Sequence, residues 1–149
     1  IDGELRKLIP LTGYKLHTMP GIDLVTEVQI ISEIGDINRF PDSDKLARFM
    51  GLAPVQFSSA GKGKDQRCRN GNRALNAIFH FLAIQMVAVS ASGKPRHPVF
   101  REYFEQKVKE GKNKPQALVC VARRLMRIIY GMMKTKTEYR PYEKVDDKN

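Results

Sequence analysis

Arg73-Ala74-Leu75-Asn76-Ala77-Ile78-Phe79-His80-Phe81-Leu82-Ala83-Ile84-Gln85-Met86-Val87 is the stretch on which the fold turns. Its residues Leu75, Ile78, Phe79, Leu82, Ala83, Met86 and Val87 fall at i, i+3, i+4, i+7, i+8, i+11 and i+12, the stripe that one helix face buries against a core. Leu118, Val121, Ala122, Leu125, Ile128, Ile129 and Met132 repeat the pattern further on. Between the two, Phe100, Tyr103, Phe104 and Val108 mark a shorter amphipathic helix ending near Gly111. Ser92-Gly93-Lys94-Pro95 and Lys112-Asn113-Lys114-Pro115 break the chain on either side of it.

Upstream, Leu24 to Ile34 reads as a helix closed by Gly35, and Asp42 or Ser43 can cap a short helix that runs to Met50 and is closed by Gly51. Thr18-Met19-Pro20-Gly21-Ile22 is a tight turn ahead of them. No stretch alternates apolar and polar residues for long enough to predict a sheet. The fold class predicted is therefore all-α, and the polar tail from Lys134 onward is expected to fray.

The 149 residues, 42% of them hydrophobic, suffice for one domain with a single core. A formal net charge of +10 and a pI near 9.8 favour a polyanionic partner, with nucleic acid ahead of a membrane surface. No run approaches the roughly 20 apolar residues that span a bilayer, and no signal peptide opens the chain, so a cytoplasmic location is expected. Cys68 and Cys120 form no CxxC pair and imply neither a zinc site nor a disulfide framework. Ile1-Asp2-Gly3-Glu4-Leu5 reads like the tail of an earlier helix, which predicts that a longer protein precedes it.

Two segments could carry chemistry. Met19-Pro20-Gly21-Ile22 before an apolar helix resembles the turn of a helix-hairpin-helix motif, in which backbone N–H groups meet a DNA phosphate, and Gly21 is its candidate contact. Asp23 stands where a second glycine is usual and would put a negative charge close to that phosphate. Packing alone explains such a hairpin equally well. From Leu52 to Asn72 the chain is glycine-rich, basic and weakly periodic, and loops of this length are usually functional. In Phe57-Ser58-Ser59-Ala60-Gly61-Lys62-Gly63-Lys64-Asp65-Gln66-Arg67-Cys68-Arg69-Asn70-Gly71-Asn72-Arg73, the cations Lys62, Lys64, Arg67, Arg69 and Arg73 face one acid, Asp65. Small residues there let the backbone approach a phosphate. The spacing does not match GxxxxGK[ST], so ATP binding is not supported. A solvated basic loop with incidental serines is the plain alternative. A serine in it could attack a phosphodiester if cations stabilise the developing charge, but a proton acceptor is missing. His17, His80 and His97 are scattered, and His80 lies in an apolar helix that favours a core role.

These pieces, in order, resemble the insertion-sequence transposases of the IS one-ten, IS one-sixteen and IS nine-zero-two family. The resemblance is carried by Thr18-Met19-Pro20-Gly21-Ile22, Glu33-Ile34-Gly35-Asp36-Ile37-Asn38-Arg39-Phe40-Pro41, Leu46-Ala47-Arg48-Phe49-Met50-Gly51-Leu52-Ala53-Pro54 and Gly71-Asn72-Arg73. His97-Pro98-Val99-Phe100, Gly111-Lys112 and Ala122-Arg123-Arg124-Leu125 follow, so that it covers residues 14–143. It implies a C-terminal transposase domain with a helix-hairpin-helix-like part over residues 15–50, a serine loop over 53–72 and a helical core over 73–133. An N-terminal RuvC-like nuclease half would be absent from this sequence.

The family carries a serine five residues after the proline of its Gly-Leu-x-Pro segment, which counted from Pro54 is Ser59. The resemblance implies that Ser59 attacks a DNA phosphate to form a phosphoserine link, with a divalent metal, expected to be Mg, on the RuvC-like half. It further implies a guide RNA as second partner, and a homo-oligomer is an open expectation for the intact protein. Ala60 replaces the usual glycine and leaves Ser58 as runner-up, Cys68-Arg69 replaces a frequent serine-lysine pair, and Asn76 stands where arginine is common. The rivals are a non-catalytic DNA- or RNA-binding helical module, and a tyrosine recombinase using Tyr130 or Tyr139, which lacks a recognisable Arg, His and Lys constellation.

Overall fold

The structure, a computed structural model, describes residues 2–52, 54–55, 66–67 and 71–140. Six α-helices account for most of them: α1 (Asp2–Thr12), α2 (Leu24–Ile34), α3 (Ser43–Phe49), α4 (Arg73–Val87), α5 (Pro98–Lys109) and α6 (Lys114–Thr135). Single 3-10 turns lie at Leu16–Thr18 and Ile37–Arg39. The all-α class read from the periodicity is the observed one. Strand pairing is limited among the described residues to an antiparallel ladder of two residues each, β1 (Pro54–Val55) on β2 (Gln66–Arg67), and one isolated bridge, Val89 to Pro95. Two residues are too few to leave an alternating pattern, which is why no sheet was expected.

Local chemistry sets the helix ends. The side chains of Asp23, Asp42, Asn72 and Asn113 accept the backbone N–H three residues on and so satisfy donors at the first turns of α2, α3, α4 and α6. At α6 the cap is reciprocal, since Gln116 returns a bond to the Asn113 N–H, and Pro115 adds a fixed φ in the first turn. Gly35 stops α2 in a positive-φ conformation that side chains rarely adopt.

Packing is organised around α6, whose 22 residues span about 33 Å and touch α3, α4 and α5. Leu75, Phe79, Leu82, Ala83, Met86 and Val87 of α4 are buried, as are Val121, Ala122, Leu125, Ile129 and Met132 of α6. Ile78, Leu118 and Ile128, at the edges of the two stripes, are half-buried. Buried apolar residues from Tyr14 to Met133 join in one cluster, so α2 and the 3-10 turn before it share the core of α4–α6. No helix among the described residues is long and apolar enough to cross a membrane.

The fraying expected from Lys134 is not what the structure gives for residues 134–140. Helix α6 continues to Thr135, Lys136 takes a left-handed turn, and the Thr137 N–H returns to the Met132 carbonyl. Tyr139 then packs half-buried on the core, its N–H donating to Thr18 Oγ1 at 2.9 Å. One aromatic ring outweighs the polar composition around it.

Candidate functional site

Helix α3 ends at Phe49, and the last carbonyls of any helix lack partners within it. The carbonyl of its last residue and those of two residues just beyond it are satisfied from elsewhere in the fold. The Asn72 N–H donates to the Phe49 carbonyl (2.6 Å), Asn76 Nδ2 to that of Met50 (2.9 Å) and Arg123 Nε to that of Leu52 (2.6 Å). Asn72 Nδ2 also donates to Glu33 Oε2 on α2 at 2.8 Å while its Oδ1 caps α4. The two roots of the serine-bearing segment are thereby fastened to α2, α3, α4 and α6 at one point.

The roots touch backbone to backbone. A Cβ added to Gly71 would stand 2.5 Å from the Gly51 nitrogen and 2.7 Å from its Cα, atoms that cannot turn aside as a side-chain tip can. Gly71→Ala is therefore expected to force the roots apart and to cost about 1–3 kcal/mol, the usual range for overpacking. Thermal unfolding checks this, and a variant melting within a degree of the parent would show the contact to be slack.

Ser59, Ser58, Lys62, Lys64 and Arg69 lie outside the described residues, and Arg67 is described only as a backbone position in β2. Arg73 is exposed at the first position of α4, a helix with no acid in its first turn, so cation and helix N-terminus both favour an anion beside the Gly71 root.

Gly21 lies about one turn of chain before α2 with φ +92°, and a single 3-10 turn precedes it rather than a full helix. A Cβ on Gly21 would meet Met86 Cε at 2.9 Å and His97 Nε2 at 3.6 Å, so this turn rests on α4 and on the residue capping α5. Burial, and then Arg96, hold the His97 pKa below its ordinary value, which leaves the ring neutral at pH 7. Asp23 does not project into the turn. Its carboxylate folds onto α2, where the Thr26 N–H lowers its pKa, and so occupies the donor a phosphate would use there.

Sequence reasoning missed Glu27. It is fully buried, accepting the Leu16 N–H at Oε1 (2.9 Å) and lying 2.7 Å from His17 Nδ1 at Oε2. This pair ties the 3-10 turn to α2 and engages both carboxylate oxygens. Among the described residues no three His, Cys, Asp or Glu side chains converge to hold a metal ion.

The tyrosines have structural roles. Tyr130 OH donates to the Phe40 carbonyl at 2.8 Å, and burial pushes the Tyr139 phenol above its ordinary pKa, with Arg124 opposing in part.

Residues 13–105, more than half of the chain, match the model of the transposase family IS116/IS110/IS902. The chain belongs to this transposase family. Its relatives include an insertion element IS116 uncharacterized 44.8 kDa protein of Streptomyces clavuligerus, 31% identical over 85% of this chain and 30% of the relative. An insertion element IS110 uncharacterized 43.6 kDa protein of Streptomyces coelicolor is 29% identical over 83% of the chain and 29% of its own length. A pilin gene-inverting protein of Moraxella lacunata is 29% identical over 97% of the chain and 44% of its own length. The chain spans less than half of each of these transposase-family relatives. Several of the family-like pieces, Glu33, Gly51, Gly71-Asn72 and Arg123, are the residues that fasten the serine segment.

Proposed function

We propose that this chain is the serine-bearing domain of a transposase that cleaves and rejoins DNA, with Ser59 as nucleophile. The observation carrying the reading is the clamp at the segment's roots, built from residues of the family-like pieces around Gly51 and Gly71. A nucleophile on a long loop needs such a frame, because a small misplacement costs much of the rate. The Moraxella relative's name describes gene inversion, and inversion requires cutting and rejoining DNA at two sites.

In this reading Ser59 Oγ attacks phosphorus, a Ser–O–P ester forms, and the P–O bond to one deoxyribose breaks to release a DNA hydroxyl. The serine proton passes to an acceptor outside the described residues. Lys62, Lys64, Arg67, Arg69 and Arg73 offset the phosphate charge, and Gly21 is a lesser backbone contact. Divalent metal, guide RNA and further subunits belong to the intact assembly. The test is to trap the protein–DNA adduct in the full-length protein with guide RNA, DNA and metal, and to map the modified peptide by mass spectrometry. A non-catalytic binding module gives no adduct.

Charge makes a second test available on the 149-residue chain alone. Duplex binding is expected to weaken steeply with salt, and Arg67→Ala with Arg69→Ala to lower the slope of log K against log salt by roughly one to two units. An unchanged slope would put the binding surface elsewhere.

A further inference from the structure

The exposed face formed by Ile37–Arg39, α3 and α6 holds a cation set in advance. Arg39 is exposed, and its guanidinium carbon lies 4.9 Å from the Phe40 ring centroid and 5.0 Å from that of Phe49. The two rings are 5.2 Å apart and tilted at 53°, an aromatic platform beside the guanidinium. Stacking leaves the N–H fork at its edge free to donate. Two of the nearby acids hold backbone N–H groups. Asp36 accepts the Asn38 N–H, Asp42 accepts the Lys45 N–H, and Asp44 sits in the first turn of α3, so each lies at a helical N-terminus.

Other cations continue the face. Arg48 is exposed one residue before Phe49. Along α6, Arg123 reaches the Leu52 carbonyl and Tyr130 the Phe40 carbonyl, so this side of α6 lies against residues 40–52. Arg127 is exposed between those two anchors, one turn beyond Arg123. Among the described residues Arg39, Arg48 and Arg127 make no ion pair. Arg123 binds at the root of the serine segment, so the face begins where that segment leaves the fold.

We propose that this face seats the backbone of the DNA duplex on which the serine segment acts, with Arg39 as its pre-oriented anchor. The inference rests on the reading of the chain as a DNA-recombination domain and adds a surface to it. Adjacency to the segment's root selects DNA over RNA, because the attacked phosphodiester must reach that root. A stacked, unpaired arginine loses little freedom on meeting a phosphate, which makes it a stronger contact than a free lysine.

The test measures binding of the 149-residue chain to a fluorescent 30-base-pair duplex over a salt series. Arg39→Gln, Arg48→Gln and Arg127→Gln combined are expected to lower the salt slope by about two to three units and to weaken binding roughly tenfold or more at 0.1 M salt. Arg48→Gln with Arg127→Gln leaves the aromatic platform intact and should lower the slope by about two, which keeps the outcome readable if the triple variant melts early. A triple change of the same charge, Lys109, Lys112 and Lys114 each to Gln, lies around the α5–α6 turn, with Lys114 roughly 20 Å along α6 from Arg127. It should change the slope by less than one.

Equal slopes for the face and the comparison triples would overturn the proposal, since charge alone would then be read. A slope lowered by Arg67→Ala with Arg69→Ala but not by the face variants overturns it too, while leaving the recombination reading in place. A parent chain that binds no duplex at low salt removes both. Loss seen only with a hairpin RNA of equal length overturns the DNA assignment.

Discussion

Ser59→Ala in the full-length protein, supplied with guide RNA, DNA and a divalent metal, is expected to abolish the covalent adduct and strand exchange together. Removing a nucleophile from a covalent enzyme typically lowers turnover on the order of 10⁴–10⁶-fold. Binding should barely change, because one hydroxyl adds little to an interface set by a net charge of +10. Ser58 is the adjacent hydroxyl, so Ser58→Ala is the necessary companion, and it should only slow the reaction by disturbing how its neighbour is presented. An adduct that persists in Ser59→Ala and vanishes in Ser58→Ala would move the nucleophile by one residue. An adduct surviving both changes would take the segment out of the chemistry.

The second large effect is expected in the core. Leu82 on α4 and Leu125 on α6 are 1% and 0% exposed, and the two helices pack on each other. Leu82→Ala or Leu125→Ala removes buried methyl groups and leaves a cavity whose walls relax only in part, at about 2–5 kcal/mol. Domains of this size have about 5–15 kcal/mol in all. At roughly 2–4 °C for each kcal/mol, melting should fall by about 5–20 °C. Arg127→Ala, exposed on the same helix, should stay within about 0.5 kcal/mol of the parent. Calorimetry on the three variants checks the assignment, and parent-like melting of both leucine variants would sink it.

The main helices were legible because each carries a stripe of period 3.6 and a chemically explicit start, as Asp42 and Asn113 illustrate. Glu27 was not legible. An acid in a helix ordinarily faces water, and its burial depends on His17 and the Leu16 N–H, ten and eleven residues earlier, which only the folded hairpin brings together. Tyr139 was hidden in the same way by its polar neighbours.

The candidate site divides along a similar line. The cations and serines of residues 58–73 were visible as composition, and Ser59 was singled out by resemblance and counting rather than by any local base. What the clamp does could not be read, because satisfying the carbonyls of Phe49, Met50 and Leu52 with Asn72, Asn76 and Arg123 is a tertiary event. Asn76 looked like a departure from the family pattern. In the fold it has work of its own, at the Met50 carbonyl.

The contact between Gly51 and Gly71 carries a consequence for how such proteins diverge. Because Gly51 and Gly71 meet, the frame around them is closed without reference to the chain between. Closing a longer excursion from a fixed pair of ends costs only about 0.6 kcal/mol per doubling of its length. Insertions, deletions and exchanges of charge there are expected to leave α2, α3, α4 and α6 unaltered. Selection can therefore retune the chain between them at little expense to folding, while the contact at Gly71 and the positive φ of Gly51 favour glycine at both positions.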